Sequence, residues 1–223
     1  MTLWSHSSPA QSPAALSEPV VYVVDDDASM RQALDSLLRS IGLQVRTFDS
    51  AADFLAQAQR EVPGCLVLDV RLRGESGLTF QEQMEKNGLR IPVVFMTGHG
   101  DIAMSVKAMK AGAVDFLAKP FRDQDMLDAV ASALARDRAR LADEHSGAVL
   151  RRAYETLTAR EREVLGYVIA GLMNKQIAGQ LKLSEVTVKV HRGQVMRKLG
   201  ARSVADLVRI AEALGIEPVQ RGP

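Results

Sequence analysis

The chain has 223 residues, of which 47% are hydrophobic and 25% charged, and its formal net charge is +1. This composition suits a chain that buries a core, and the absence of any apolar run of ~18–20 residues excludes a membrane-spanning protein. The single cysteine, Cys65, excludes an internal disulfide framework, and residues 1–18 lack a signal-peptide pattern, so the sequence predicts a cytoplasmic protein.

The charged side chains are divided unevenly along the chain. Residues 20–122 contain 12 basic and 13 acidic side chains, whereas residues 151–223 contain 13 basic and 7 acidic ones. A balanced first part and a basic second part indicate two domains, of which the second faces a polyanion.

In the first part, short apolar runs alternate with amphipathic stretches. The predicted strands are 20–24, 44–48, 65–69, 92–97 and 115–118, and the predicted helices are 29–41, 51–60, 78–87, 102–111 and 123–141. Because strands separated by helices form parallel βαβ units, we expect a doubly wound α/β domain with a five-stranded parallel sheet, similar to flavodoxin.

The second part of the chain is predicted to be all-α. Residues 136–155 are charged and extend the last helical pattern, which predicts a helical linker. Further helices are predicted at 159–170, 175–181, 185–199 and 204–214, with N-terminal caps at Thr158, Asn174, Ser184 and Ser203. The expected divisions are a disordered tail over 1–18, an α/β domain over 19–135, the linker over 136–155, a helical domain over 156–216 and a tail over 217–223.

Two apolar strands end on acidic residues. Val20–Val24 runs into Asp25, Asp26 and Asp27, and the strand that begins at Cys65 ends on Asp69. The carboxyl ends of parallel strands meet at one edge of a sheet, where crowded carboxylates repel one another unless a cation joins them. Since all-oxygen ligands suit a hard divalent ion, the sequence predicts a Mg²⁺ site at this edge.

Further polar and aromatic residues follow the later strands to the same edge. Thr97 ends the fourth predicted strand, and Lys119 ends the fifth, three residues after Phe116. The segments VVDDD, CLVLDVR, MTGHGD, AMKAGAVDFLAKPF and GLMNKQIAGQL together make residues 20–214 closely resemble bacterial response regulators of the FixJ/NarL type.

The resemblance implies a role for each residue of the acidic edge. Asp69 would be the phosphoacceptor, and Mg²⁺ would be held by Asp25, Asp26, Asp69 and the backbone carbonyl of Arg71. Lys119 would pair with one phosphoryl oxygen, and the Thr97 hydroxyl would donate a hydrogen bond to another.

Other residues near this edge have different expected roles. Phe116 would be a switch aromatic that follows Thr97, with plain core packing as the alternative. Asp27 is interpreted as a turn former or helix cap, and His99 as a loop residue without chemistry.

The helices at 175–181 and 185–199 read as a helix-turn-helix. Spacing of 100° per residue places Val188, Val195 and Leu199 on one buried stripe. The opposite face would enter the major groove of DNA. The predicted DNA contacts are Lys189, Val190, Gly193 and Arg197. Arg192 has two alternative roles, a phosphate contact or packing of its aliphatic stem against the core.

The resemblance also implies partners and an output. A sensor histidine kinase would phosphorylate the protein, which would then form a homodimer and bind double-stranded promoter DNA. The expected output is transcription activation, with RNA polymerase as a further partner, and the protein would not be an enzyme.

Two alternatives remain open at this stage. Arg73 stands where the family usually has proline, which favours altered phosphorylation kinetics or a DNA-binding regulator that does not depend on phosphorylation. A Mg²⁺-dependent phosphatase of the haloacid dehalogenase type would instead use Asp25 as nucleophile and Asp27 as acid and base. That class leaves the helix-turn-helix unexplained.

Overall fold

The computed structural model describes residues 18–58, 61–72, 75–98 and 102–219. The chain forms two compact units, one ending at Leu141 and the other beginning at Ala142. Within the described ranges, every helix is too short or too polar to cross a lipid bilayer. Arg73, His99 and the terminal residues 1–17 and 220–223 lie outside the described residues.

The first unit contains a five-stranded parallel sheet. The strands of the unit are β1 (Val20–Val24), β2 (Gln44–Phe48), β3 (Gly64–Asp69), β4 (Arg71–Leu72), β5 (Glu75–Ser76), β6 (Val93–Thr97) and β7 (Asp115–Ala118). The parallel sheet has the order β2-β1-β3-β6-β7, and β4 and β5 form a separate antiparallel hairpin. The doubly wound prediction is confirmed, whereas the hairpin was not predicted.

Helices lie between successive strands of the parallel sheet, and a further helix follows the last strand. They are α1 (Ala28–Ser40), α2 (Ala51–Gln57), α3 (Gly77–Lys86), α4 (Ile102–Lys110) and α5 (Asp123–Glu155). β1, β3 and β6 are buried along their whole lengths, as expected for strands covered on both faces. Cys65 is fully buried on one of these faces, where it packs as a small core residue.

α5 is longer than the helix predicted at 123–141. Residues 136–155, predicted as a helical linker, lie within this helix, which continues to Glu155. The boundaries of the domains and tails drawn from the sequence stay predictions.

The second unit is built from four further helices. They are α6 (Ala159–Ile169), α7 (Asn174–Leu181), α8 (Glu185–Lys198) and α9 (Val204–Ala213). Thr158 and Glu161 form the predicted capping box of α6, and Ser184 and Ser203 cap α8 and α9. The cap predicted at Asn174 is wrong, because α7 already includes Asn174 and is capped at Met173, whose N–H donates to Gln176 Oε1 at 2.8 Å.

The turn between α7 and α8 ends the first helix sharply. Lys182 has a φ of +53° in the left-handed region, and its N–H bonds back to Ala178. Val188, Val195 and Leu199 are buried at 0%, 1% and 5% exposure, so the predicted inner stripe of α8 is correct. This packing leaves the opposite face of α8 in solvent.

Candidate functional site

The carboxyl edge of the parallel sheet brings three acidic side chains together. Asp25 follows β1, and Asp69 is the last residue of the neighbouring β3. One carboxylate oxygen from each of Asp25, Asp26 and Asp69 lies within 4.8 Å of the other two. The two strands are adjacent and in parallel register, which explains why residues far apart in sequence meet here.

Asp25 is the most deeply buried of these acids, at 0% exposure. Burial raises the pKa of its carboxyl group above the usual value, although hydrogen bonds from Lys119 and from the Asp27 N–H oppose the rise. The Asp27 N–H lies 2.8 Å from Asp25 Oδ1. Arg31, on α1, donates to the Asp25 carbonyl at 2.7 Å and so fixes the backbone at the end of β1.

Lys119 joins two of the carboxylates. Its Nζ lies 2.7 Å from Asp25 Oδ2 and 2.7 Å from Asp69 Oδ2. Burial disfavours the charged ammonium, but the hydrogen bonds to the two aspartates outweigh it and hold the pKa of Lys119 above its usual value. The ammonium group therefore stays charged at neutral pH and neutralises part of the acidic edge.

The backbone around Asp69 is fixed from two sides. The Arg71 N–H donates to Asp69 Oδ1 at 2.9 Å, and the Val70 N–H donates to the Met96 carbonyl at 2.9 Å. Gly77, the first residue of α3, approaches so closely that a Cβ there would lie 2.5 Å from the Asp69 carbonyl oxygen. The Arg71 peptide thus lies beside Asp69, while its carbonyl as a metal ligand stays a prediction.

Thr97 and Phe116 come from the two strands beyond β3. Thr97 ends β6 and is fully buried, and its carbonyl accepts a hydrogen bond from the Lys119 N–H at 2.7 Å. Phe116, on β7, is half-buried and packs in a tilted arrangement 6.5 Å from the ring of Phe95. The site residues predicted from these strands therefore lie on the elements that flank the acidic edge.

The donor set fits a hard divalent cation. Three carboxylates with oxygens within 4.8 Å of one another supply the oxygen ligands that Mg²⁺ prefers. Lys119 lies beside this group and supplies one positive charge through its ion pairs with Asp25 and Asp69. The arrangement therefore fits a Mg²⁺ site at this edge of the sheet.

The third acidic residue after β1 has a structural role. Asp27 is exposed and caps α1, where its Oδ1 accepts from the Ser29 N–H at 2.8 Å. The interpretation of Asp27 as a helix cap is therefore correct. This cap is unfavourable for a catalytic acid and base at Asp27, because its carboxylate already accepts a hydrogen bond from the first turn of α1.

The outer face of α8 exposes the residues that were predicted to contact DNA. Lys189, Gly193 and Arg197 are exposed, and Val190 is 56% exposed. A Cβ added at Gly193 would have no atom within 4 Å, so the fold itself does not require glycine there. The four residues form a cationic and partly apolar surface, on which Arg197 donates hydrogen bonds to Oε1 of Gln194 on the same helix.

Two interactions join α8 to the rest of this unit, one at its middle and one at its last residue. Half-buried Arg192 donates to Asn174 Oδ1 at 3.0 Å, which fixes its guanidinium beside the first turn of α7. Lys198, at the end of the helix, donates to Glu161 Oε2 at 2.7 Å and to the Thr156 carbonyl at 3.0 Å. The hydrogen bond with Lys198 lowers the pKa of Glu161 below its usual value.

Arg31 and Gly77 are residues of the acidic edge that were not predicted from the sequence. Gly77 was visible only as the end of the loop after Asp69, and nothing in the sequence shows that its Cα lies against the Asp69 backbone. Arg31 lies six positions after Asp25, on the helix that Asp27 caps. That spacing is the one signal that would have found it.

Comparison with known protein families gives two matches. Residues 21–131 match the response regulator receiver domain, and residues 155–211 match the bacterial regulatory proteins of the luxR family.

Individual relatives match over most of their length. Nodulation protein W of Bradyrhizobium diazoefficiens is 53% identical over 202 residues, which cover 91% of this chain and 89% of that protein. Transcriptional regulatory protein FixJ of Azorhizobium caulinodans is 42% identical over 198 residues, which cover 89% and 94% of the two chains. The solved structure of response regulator StyR is similar with a TM-score of 0.81 at 50% identity, over 88% of this chain and 99% of that chain.

Proposed function

Because this chain belongs to the two-component response regulators that join a receiver domain to a LuxR-type helix-turn-helix, we propose that phosphorylation of Asp69 switches its binding to promoter DNA. It is a DNA-binding transcription regulator rather than an enzyme of metabolism. The observation that carries the proposal is the Lys119 bridge to Asp25 and Asp69, at 2.7 Å to each, at one edge of the sheet.

Phosphoryl transfer to Asp69 needs a nucleophile, charge neutralisation and a leaving group. A carboxylate oxygen of Asp69 attacks phosphorus, and the P–N bond of a kinase phosphohistidine or the P–O bond of acetyl phosphate breaks. The electron pair leaves with the histidine nitrogen or the acetate oxygen, and an acyl phosphate remains on Asp69. Lys119 already contacts Asp69, so its ammonium lies where the new phosphoryl oxygens would carry charge.

The three carboxylates would hold Mg²⁺ through Asp25, Asp26 and Asp69, with the carbonyl of Arg71 as a fourth protein ligand. When bound, the ion neutralises charge on the transferring phosphoryl group. Arg31 and the Asp27 N–H keep Asp25 in place for this role, through its carbonyl and its Oδ1.

The conformational effect of phosphorylating Asp69 would reach the protein surface through Thr97 and Phe116. The Thr97 hydroxyl would donate to a phosphoryl oxygen, and Phe116 would follow it and reshape the surface of α4 and β7. Val106 and Met109, on α4, are 45% and 48% exposed, which supports this surface as the homodimer interface. To change the ratio of two conformational states from 1:99 to 99:1 requires roughly 5.5 kcal/mol of differential stabilisation. Dimer formation would supply a part of it.

The helix-turn-helix would read DNA with α8. Lys189 would reach guanine edges in the major groove, and Val190 would contact a thymine methyl group. Gly193 would allow close approach of the backbone, while Arg192 and Arg197 would contact phosphates. A dimer would bind two half-sites separated by about one helical turn, and promoter activation would follow with RNA polymerase as a partner.

Acetyl phosphate labelling tests the acceptor. Asp69→Asn should abolish labelling, whereas the control Asp27→Asn should be labelled normally, because asparagine also caps α1. Labelling that survives in Asp69→Asn, or that disappears in Asp27→Asn, would remove the central proposal.

Size-exclusion chromatography and DNA-binding titration, each with and without acetyl phosphate, test the switch. We expect phosphorylation to give a dimer and tighter binding of operator DNA. Equal DNA affinity in both states would favour the regulator that works without phosphorylation. Lys189→Ala should weaken operator binding more than binding of random DNA, and unchanged discrimination would refute its base contact.

A further inference from the structure

The edge of the sheet opposite to Asp25 and Asp69 contains an open cleft. It has a volume of about 610 Å³ and is lined by residues that precede β6 and by parts of α3 and α5. Its apolar lining includes Met84, Leu89, Ile91 and Val93. This size accommodates a small organic molecule, and none of these residues takes part in phosphoryl transfer.

The cleft is rich in guanidinium groups. Arg90, Arg136 and Arg140 line it, against one carboxylate, that of exposed Glu85. Arg140 has Asp137 as a counter-charge. The excess of positive charge therefore comes from Arg90 and Arg136, which outnumber Glu85. This excess favours an anionic group on any molecule that occupies the cleft, and arginine is the residue that best binds carboxylates and phosphates.

One of these arginines, Arg140, is held in place by a buried carboxylate. Asp137 is fully buried, and its Oδ2 accepts from the Gly64 N–H at 2.8 Å. Its Oδ1 accepts from Arg140 Nε at 2.8 Å. The buried carboxylate therefore holds the Arg140 guanidinium at the wall of the cleft, so part of the site is preorganised.

A second and independent observation comes from Gln81 in the same wall. Gln81 is 4% exposed, and its Nε2 donates to the Ala111 carbonyl at 2.9 Å, which fixes the orientation of the amide. Among the described residues, its Oε1 is the buried side-chain oxygen without a hydrogen-bond partner. A buried polar atom of this kind is unfavourable, and a donor group on a molecule in the cleft would satisfy it.

We propose that the cleft at the amino edge of the sheet binds an organic anion with an apolar ring body and an N–H donor. The ring packs on the apolar lining, the anionic group pairs with Arg136 and Arg140, and the N–H donates to Gln81. Purine nucleotides and aromatic carboxylates that carry an N–H share this chemistry.

Fluorescence titration of the full-length protein with 8-anilinonaphthalene-1-sulfonate tests the charge requirement. N-Phenyl-1-naphthylamine has the same rings and N–H but lacks the sulfonate. We expect Arg136→Gln to weaken binding of the sulfonate roughly fivefold or more and to leave the neutral probe unchanged. Equal weakening of both probes, or no weakening of the sulfonate, overturns the proposal.

The matched control is Arg138→Gln, an exposed arginine of the same helix that does not line the cleft. It should bind both probes like the unmodified protein. Acetyl phosphate labelling shows that each variant is folded, because the acidic edge lies at the other end of the strands. Weakening by Arg138→Gln as large as that by Arg136→Gln would show general surface binding and overturn the site.

Two further measurements test the donor and the source of the ligand. The ether analogue of the sulfonate probe, in which oxygen replaces N–H, should bind more weakly than the probe, and Gln81→Met should remove that difference. A difference that persists in Gln81→Met contradicts the role of Gln81. Displacement of the probe by AMP indicates a nucleotide and displacement by indole-3-acetate an aromatic carboxylate, whereas displacement by neither overturns the proposal.

Discussion

The ammonium group of Lys119 lies 2.7 Å from Oδ2 of Asp69, although 50 residues separate the two in the chain. The same group contacts Asp25, so one cation serves two carboxylates. A cation shared in this way offsets the repulsion that close carboxylates would otherwise have. It also competes with any metal ion for these two carboxylates.

Replacement of Lys119 by methionine should therefore strengthen Mg²⁺ binding. Asp25 and Asp69 would lose their shared counter-charge, and the ion would no longer have to compete with the ammonium. We expect the Mg²⁺ dissociation constant to fall about 5- to 30-fold, which corresponds to ~1–2 kcal/mol, in isothermal titration calorimetry. Lys110→Met, an exposed change on α4, is the control. An unchanged or higher dissociation constant for Lys119→Met would contradict this prediction.

Gly77→Ala should disturb both the stability of the first unit and the phosphorylation of Asp69. The added Cβ would lie 2.5 Å from the Asp69 carbonyl oxygen, so the backbone of β3 or α3 must shift. We expect the free energy of unfolding to fall by about 1–3 kcal/mol and acetyl phosphate labelling to slow. Gly147→Ala, on α5 with no atom within 4 Å of the new Cβ, should cause neither change. Normal labelling and stability in Gly77→Ala would show that the contact is relaxed easily.

The ion pair of buried Glu161 with half-buried Lys198 should give the second unit a pH-dependent stability. Lys198 lowers the pKa of Glu161 in the folded state. The pair therefore stabilises the folded state at pH values above 4.5, the usual pKa of a glutamate. This stabilisation is lost as the pH falls through the lower pKa of the folded state. Lys198→Met should cost about 1–3 kcal/mol at pH 7, and the difference should shrink below pH 4.5.

Hydrogen exchange of α6 amides measures this effect within the second unit. The control is Arg160→Met, which removes an exposed pair with Glu163 and should cost less than ~1 kcal/mol at any pH. A Lys198→Met effect that stays the same from pH 7 to pH 4 would assign it to lost packing instead of charge.

Gly193→Ala should separate stability from DNA recognition. A new Cβ would meet no atom within 4 Å, and alanine favours a helix by roughly 1 kcal/mol over glycine, so α8 should become more stable. Operator affinity should fall in electrophoretic mobility shift titrations, because the methyl group prevents close approach of the backbone. Gly179→Ala, an exposed change on α7, is the matched control. Unchanged operator affinity of Gly193→Ala would remove the close-approach explanation.

Arg73→Pro should change the kinetics of the phosphoryl group. Arg73 comes four positions after Asp69 in the sequence, and proline there would restrict the backbone and remove one positive charge. Phosphorylation and hydrolysis rates, followed by electrophoresis of the phosphorylated form, should both differ from those of the unmodified protein. If both rates stay the same, Arg73 does not control these kinetics.

The sequence by itself was sufficient for elements with strong local signals. Apolar runs such as Val20–Val24 and caps such as Thr158 with Glu161 predicted strands and helix starts to within a residue. Local reasoning failed at Asn174, because its Oδ1 accepts from Arg192 on α8, a contact between helices that has no local signal, and Gln176 satisfies the Met173 N–H. The β4–β5 hairpin was also missed, since two-residue strands are too short to show a period.

Contacts between distant elements were decided only by the tertiary structure. The sequence determined that acids, a threonine and a lysine end successive strands, and parallel pairing then required them to share one edge. It did not determine that Lys119 contacts both Asp25 and Asp69, that Gly77 touches the Asp69 backbone, or that arginines collect around Gln81 at the opposite edge. Those relationships depend on the order of the strands and on how helices pack against the sheet, and packing is set by the summed shape of many side chains rather than by any local pattern.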